Sequence, residues 1–362
     1  MSKQGTIHQG ESSDWVCPDT GAAFKQLTSA SVHSRAFYFE QTSFTADDQT
    51  IVFASQRTAG RGVPWDFFRV DIDGKNLVQL SDEEHSFVAC IPSPSESRII
   101  YITRGPALLK VDIDTFDETE IGRVDGFTNE GLGTLTGDGR WFFCVAVDDK
   151  DPERRVIARW DIQTGEVVTF CDGVPWVHLT IDWGGTVLSF RGRMDTDGYG
   201  YYLCDVDGGN LRTFHWDNFA HNTFYGRTAK LQGTMLPPGH GIGIMALDDE
   251  GPEMVCEGPY FWHSGVSEDG EWIVSDTNWP DQGLMLVHVP TKRFAPLVMS
   301  NSSNGSSQEA HPHPSFNRAA TKVIYTSDRT GLSQVYLCDI PEALRHDLLT
   351  GELTNRLRHS RQ

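Results

Sequence analysis

The sequence lacks any apolar run approaching the length that spans a bilayer, so no transmembrane helix is expected. Residues Met1 to Trp15 are polar and contain no apolar core of a secretory signal. An excess of positive charge is also missing. Fifty acidic residues stand against thirty lysines and arginines, for a formal net charge of −20. That balance argues against nucleic acid and a membrane surface as partners, although a locally positive pocket can exist inside a negative shell. Leu-rich helical stretches are scarce, whereas Gly (35 residues) and Trp (10) are plentiful. This composition points to an all-β chain with many turns. The seven cysteines (Cys17, Cys90, Cys144, Cys171, Cys204, Cys256 and Cys338) are odd in number and form no C-x-x-C pair. Most sit in apolar strand-like runs such as Phe142-Phe143-Cys144, which reads as buried free thiols in a reducing, cytoplasmic compartment.

What is present is a repeat. Its unit has a Ser/Thr/Pro-x-Asp/Gly turn, an apolar strand, a variable loop, a second apolar strand ending in Asp-x-x-x-Gly, and a short outer strand. The first copy runs Phe44-Thr45-Ala46-Asp47 into Ile51-Val52-Phe53, then Phe67-Phe68-Arg69-Val70-Asp71 to Gly74, then Leu77 to Leu80. Further copies start near Pro92, Thr136, Ile181, Arg227, Ser267 and Pro314, the fifth (Arg227 to Leu247) being degraded. Seven copies spaced by roughly 40–50 residues predict a seven-bladed β-propeller. Phe24-Lys25-Gln26-Leu27 resembles the outer strand of a blade, and no such strand follows Ile340. The N-terminal strand is therefore expected to close the last blade and remove a free edge. The expected division is an N-terminal segment (1–23), one propeller domain (24–341) and a polar C-terminal tail (342–362) with no function attached.

Chemistry in a propeller is expected at one mouth of the central channel, where the strand openings converge. Histidines recur there: His33 ahead of blade one, His178 ahead of blade four, His221 ahead of blade five, His263 ahead of blade six, and His311 and His313 opening blade seven. In Gln308-Glu309-Ala310-His311-Pro312-His313-Pro314 the two imidazoles are spaced i and i+2, which in an extended strand aims both to one side. Imidazoles with an amide oxygen suit a borderline divalent metal. Alone, the motif reads equally well as a strand start with incidental histidines. Histidines at five of the seven blade openings make a shared metal site the sharper reading. The remaining histidines do not share this position, and His8, His346 and His359 are expected to be exposed near the termini.

Gln308-x-x-His311-Pro312-His313-Pro314-Ser315-Phe316, with Tyr325-Thr326-Ser327-Asp328 and Asp339-Ile340-Pro341-Glu342, resembles the last blade of the oligogalacturonate lyases. Ala36-Phe37-Tyr38-Phe39-Glu40-Gln41-Thr42-Ser43-Phe44-Thr45 resembles their first blade, and the His221 and His263 openings have counterparts. The resemblance implies a seven-bladed propeller whose manganese-type divalent ion is held by His263, His311, His313 and Gln308, with His221 as the base. The implied reaction is β-elimination across the 4-linked bond of a uronate oligomer. The ion would drain charge from the C6 carboxylate as C5 loses its proton, and a neutral imidazole near its ordinary pKa would serve as base at neutral pH. The product would be a 4,5-unsaturated sugar.

One departure matters. The family carries an active-site arginine just before the second apolar strand of the fourth copy, where this chain has Gly200. Arg191 and Arg193, in the same blade's loop, are candidates to supply that charge, and Arg227 is a third. His33, His178 and Arg227 are the candidate substrate-binding residues, and the Gly- and Arg-rich loop from Arg57 to Asp66 is expected to line the same mouth. Two other readings remain open: a different metal-dependent enzyme on another acidic sugar, and a non-catalytic propeller that binds a partner.

Overall fold

The recurring Ser/Thr-x-Asp-Gly segment is a turn whose side chains replace backbone partners. Thr136 Oγ1 donates to Asp138 Oδ1 at 2.6 Å, while the amides of Trp141 and Arg140 donate to Thr136 Oγ1 and Asp138 Oδ1. Ser267, Asp269, Trp272 and Glu271 repeat the same bonds three blades later. Gly139 and Gly270 take φ values of 72° and 74°, which a side chain would disfavour. Each such turn reverses the chain from an innermost strand into the second strand of its sheet.

The computed structural model describes residues 3–57, 65–82, 89–173, 176–193, 199–214, 218–278, 280–305 and 307–352. Among them, seven antiparallel sheets of four or five strands form the blades of a β-propeller. Blade four, for example, runs outward from Trp176–Ile181 through Val187–Arg193 and Tyr199–Asp205 to Arg212–Phe214. Apolar side chains on both faces of the middle strands fill the seams between blades. Phe53 and Phe68 of blade one pack with Ile324 and Val335 of blade seven, and Tyr101 of blade two packs with Phe142 and Trp160 of blade three. Burial on both faces is why these strands read as continuous apolar runs rather than alternating ones. Six of the seven cysteines are buried; Cys171 is only half-buried.

The ring closes as expected. Ala23–Gln26 is the fourth strand of blade seven, pairing Phe24 with Cys338 and Gln26 with Tyr336. The chain before it also takes part. Ser13–Val16 adds an outermost strand to blade seven, and Ile7–His8 adds one to blade one by pairing with Val78 and Leu77. His8 is thus half-buried in a strand rather than exposed. Between these two strands, Glu11 accepts the amides of Ser29 and Ala30 and a 2.8 Å bond from the Arg57 guanidinium. After residue 341 the chain forms the α-helix Glu342–Thr350, whose Leu348 is fully buried beside blade six.

Two predictions follow from the seams. Gly265, in the innermost strand of blade six, faces blade seven so closely that an added Cβ would lie 2.6 Å from the Pro314 carbonyl oxygen. Gly265→Ala should cost ~1–3 kcal/mol through overpacking, read as a lowered thermal midpoint; an unchanged midpoint would show that the seam yields freely. Burial opposes ionisation of Glu11, yet its bond to Arg57 wins and holds the carboxyl below its ordinary value. A depressed carboxyl contributes stability above its unfolded pKa, and that contribution is lost as pH falls through the lowered folded value. The midpoint of the wild type should therefore fall more steeply on acidification than that of Glu11→Gln, and parallel curves would contradict the assignment.

Candidate metal centre and active site

The innermost strands of blades four, five and six each break register with their neighbour once. The breaks lie between Val177 and Thr180, Ala220 and Thr223, and Phe261 and Ser264. Each contains the histidine of that blade: His178, His221 or His263. His178 and His221 sit at positive φ, 54° and 48°. A bulge of this kind turns a side chain to a direction that simple strand alternation forbids, at a backbone cost of ~1–3 kcal/mol for a left-handed non-glycine residue. Gly233 lies across from the His221 bulge, where a Cβ would be 2.9 Å from the Ala220 carbonyl oxygen.

In blade seven the two histidines converge by a different route from the expected one. His311 is extended at the end of a short 3₁₀ turn (Gln308–Ala310), with φ −90° and ψ 138°. His313 is left-handed, with φ 46°, and the strand begins only at Ser315. The i, i+2 alternation of a straight strand is therefore replaced by a kink between two prolines, which fix the flanking backbone. Both imidazoles are buried.

His263, His311 and His313 offer ring nitrogens that all lie within 4.8 Å of one another. Their tautomers are set from outside. His263 Nδ1 donates to Asp276 Oδ2 at 2.9 Å, and the same carboxylate accepts the His263 amide at 2.7 Å and the His313 amide at 3.4 Å. His311 Nε2 donates to the Gly305 carbonyl at 2.9 Å. That leaves Nε2 of His263 and Nδ1 of His311 as lone-pair nitrogens. His311 Nδ1 and His313 Nε2 are buried with no partner. Three ring nitrogens this close together, two of them buried and unpartnered, fit a borderline divalent cation better than water. Asp276 has the position of a carboxylate that orients a ligating histidine.

His221 stands against this cluster, its ring centroid 4.6 Å from His263 and 4.2 Å from Trp262. Burial first, then the neighbouring His263, His178 and Arg191, push its imidazole down to about 2, rather than leaving it near its ordinary value. Its Nδ1 is buried without a partner. Burial likewise holds His313 well below the usual range. His178 goes the other way: burial opposes its charge, but Glu40, 3.7 Å away, raises it.

The residues that sequence reasoning passed over form the floor beneath these imidazoles. Tyr38 packs its ring 4.5 Å from His313, 5.2 Å from His178 and 5.6 Å from His263, and Phe39 touches His221 and His263. Burial, with Glu40 and Asp276, raises the Tyr38 phenol well above its ordinary value, so it stays a neutral donor. The available signal was length: blade one has residues 36–49 between its first two strands, where blade four has only 182–186.

The other expected residues divide. Arg191 lies within the strand Val187–Arg193, not in a loop, paired with Tyr201 and Val177. Its charge reaches His221, His178, Tyr38 and Tyr201. The side chain of Arg193 and the loop residues 58–64 lie outside the described residues, as do His85, His215 and His359. Gln308 is exposed at the start of the 3₁₀ turn. His33 stands apart from the imidazole cluster, accepting the Ser333 amide at Nδ1. Arg227 does not join the site. It follows the opposite end of the innermost strand Phe219–Phe224 from His221, bonded to Glu268 at 2.6 Å and lying over Trp183. There it serves the turn between blades rather than the mouth.

The sequence model of the oligogalacturonate lyases matches residues 12–171. Oligogalacturonate lyase from Dickeya dadantii and oligogalacturonide lyase from Pectobacterium atrosepticum are each 22% identical, with 90% of this chain and 95% of theirs aligned. The chain is thus similar in sequence, over 90% of its length, to oligogalacturonate lyases. The fold agrees: an oligogalacturonate lyase in complex with manganese superposes at a TM-score of 0.79 and 19% identity, covering 95% of this chain and all of that one. The Vibrio parahaemolyticus oligogalacturonate lyase gives 0.78 at 21% identity, over 94% of this chain and all of that one. Gly200 pairs with Gly192, directly beside the Arg191–Tyr201 pair.

If Asp276 fixes the His263 tautomer, Asp276→Asn should weaken Mn²⁺ binding by about 10–100-fold. Calorimetric titration of the metal-free protein reads this directly, and unchanged affinity would remove Asp276 from the site.

Proposed function

We propose that this chain is a metal-dependent lyase that cleaves oligogalacturonate-like uronate oligosaccharides by β-elimination, giving 4,5-unsaturated products. The observation that carries the reading is the convergence of lone-pair nitrogens from His263, His311 and His313 beside a neutral, buried His221. The family relatives supply the substrate class.

His263, His311 and His313 would hold a divalent cation, Mn²⁺ in this reading, with Gln308 as the fourth ligand once its amide turns in from the mouth. When bound, the cation supplies Lewis acidity toward the C6 carboxylate and so acidifies C5. His221 takes the C5 proton. Its neutrality leaves a lone pair available, and the negative charge of bound substrate offsets the neighbours that depress its basicity. Arg191, beside His221 and His178, stands in for the arginine replaced by Gly200 and balances charge that develops on the sugar. The neutral Tyr38 phenol and the paired His178 and Glu40 shape the floor on which the sugar rests.

The Gly200 departure also supports a second reading, the same metal chemistry on another acidic sugar. It predicts Mn²⁺-dependent binding of uronates without elimination from galacturonate oligomers.

The test is ultraviolet absorbance of a 4,5-unsaturated product from galacturonate oligomers with Mn²⁺ present. His221→Ala should lower kcat by about 10²–10⁴-fold while Mn²⁺ binding, measured by calorimetry, stays within about threefold. Retained turnover in that variant would exclude His221 as the base. No unsaturated product from any uronate oligomer would exclude the lyase.

A further inference from the structure

The mouth contains a cation that the metal reading leaves unused. Arg35 ends the innermost strand of blade one, Ser34–Arg35, next in the ring to the blade that carries His311 and His313. Its guanidinium lies 4.3 Å from the centre of the Trp65 ring. Among the described residues it faces the carboxylate of Glu309, at 3.9 Å, two residues before His311. That distance is too long for a hydrogen bond. Glu309 instead accepts the Ser307 hydroxyl. Among the described residues the Arg35 side chain donates no hydrogen bond, although its side chain is only 28% exposed. Stacking on an indole restrains a guanidinium in position while sparing its five N–H donors. The charge nonetheless reaches the site, being one of those that hold His313 below its ordinary range.

Its position in the ring gives this a direction. Arg191 lies on blade four, and Arg35 on blade one, across the channel. The imidazole nitrogens of blades six and seven lie between them around the ring. A single carboxylate needs only the cation at the imidazoles and one arginine. A second arginine, restrained and with open donors, matches a ligand that carries a further carboxylate.

We infer that Arg35 anchors the carboxylate of the sugar adjoining the one that undergoes elimination, so that this mouth selects chains with free carboxylates on neighbouring residues. The inference rests on the uronate lyase reading. A planar guanidinium takes a carboxylate through two parallel bonds, and charge-assisted bonds of this kind are worth about 10–100-fold in affinity.

The experiment compares wild type, Arg35→Met and Arg35→Lys, all Mn²⁺-loaded. The substrates are trigalacturonate and its analogue methyl-esterified on every residue except the one cleaved. On trigalacturonate, Arg35→Met should raise KM by about 10–100-fold with kcat within about threefold, and Arg35→Lys should recover part of the loss. On the esterified analogue all three proteins should have the same KM. Calorimetry with unreactive, saturated digalacturonate should show the same ranking without turnover, and Mn²⁺ affinity should not change. Equal KM on trigalacturonate, an equal penalty on the esterified analogue, or a loss confined to kcat would overturn the role of Arg35 while leaving the lyase intact. If wild type neither binds nor cleaves any uronate oligomer, the inference falls together with the reading beneath it.

Discussion

One buried carboxylate joins the two halves of the site. Asp276 accepts the main-chain amide and the ring N–H of His263 on blade six, and the main-chain amide of His313 on blade seven. A charge this deeply buried is tolerated only when such donors surround it. Here the donors come from two different blades, so the bond network fixes their spacing as well as the tautomer. Move blade seven outward and Asp276 loses a donor while His311 and His313 leave their common point. The tight approach of Gly265 to the Pro314 carbonyl keeps that seam closed from the other side.

A ring of separate sheets could not hold this spacing if it were open. The strand Ala23–Gln26 completes blade seven, and Ile7–His8 and Ser13–Val16 continue the chain onto the rims of blades one and seven. The left-handed backbone at His178, His221 and His313 is thus strain stored in a closed frame. Each such residue costs ~1–3 kcal/mol. Seams of large apolar side chains such as Phe53, Phe142, Trp160 and Tyr325 offset it. Left-handed residues also occur in turns such as those at Asn76 and Lys292, but at these three histidines the strained backbone bears the imidazoles of one mouth.

The repeat was legible because each turn needs the same chemistry. A hydroxyl, a carboxylate and a left-handed glycine satisfy the same amides at Thr136 and at Ser267, so sequence period and structural period coincide. Ring closure was legible because Phe24-Lys25-Gln26-Leu27 has the pattern of an outer strand and blade seven lacked one. The imidazoles were legible by their shared position at the blade openings. Their actual convergence was not, because it depends on bulges and on the kink at His313, which sequence alternation cannot express. Asp276 was hidden inside Val274-Ser275-Asp276-Thr277, where a lone acid in a strand reads as a solvent-facing residue. Arg35 was hidden because its meaning comes from Trp65 and Glu309, distant in the chain. Arg227 misled for the converse reason: it follows the same strand as His221, but a strand has two ends, and only one faces the mouth.

The charge distribution sets a further constraint on what this mouth can take. The chain carries a net charge of −20, while Arg35 and Arg191 bring positive charge to the mouth that holds His313 and His221. Exterior charges are screened over a Debye length of about 8 Å at physiological ionic strength. Charges inside the mouth act through a medium of lower dielectric and are screened far less. An anionic ligand is therefore held by a few local cations against a weak but extended repulsion. That repulsion grows with every carboxylate the ligand leaves outside, whereas the attraction is complete once the mouth is filled. Under the uronate reading, the balance favours short chains whose charges all fit inside over long ones that extend beyond the mouth.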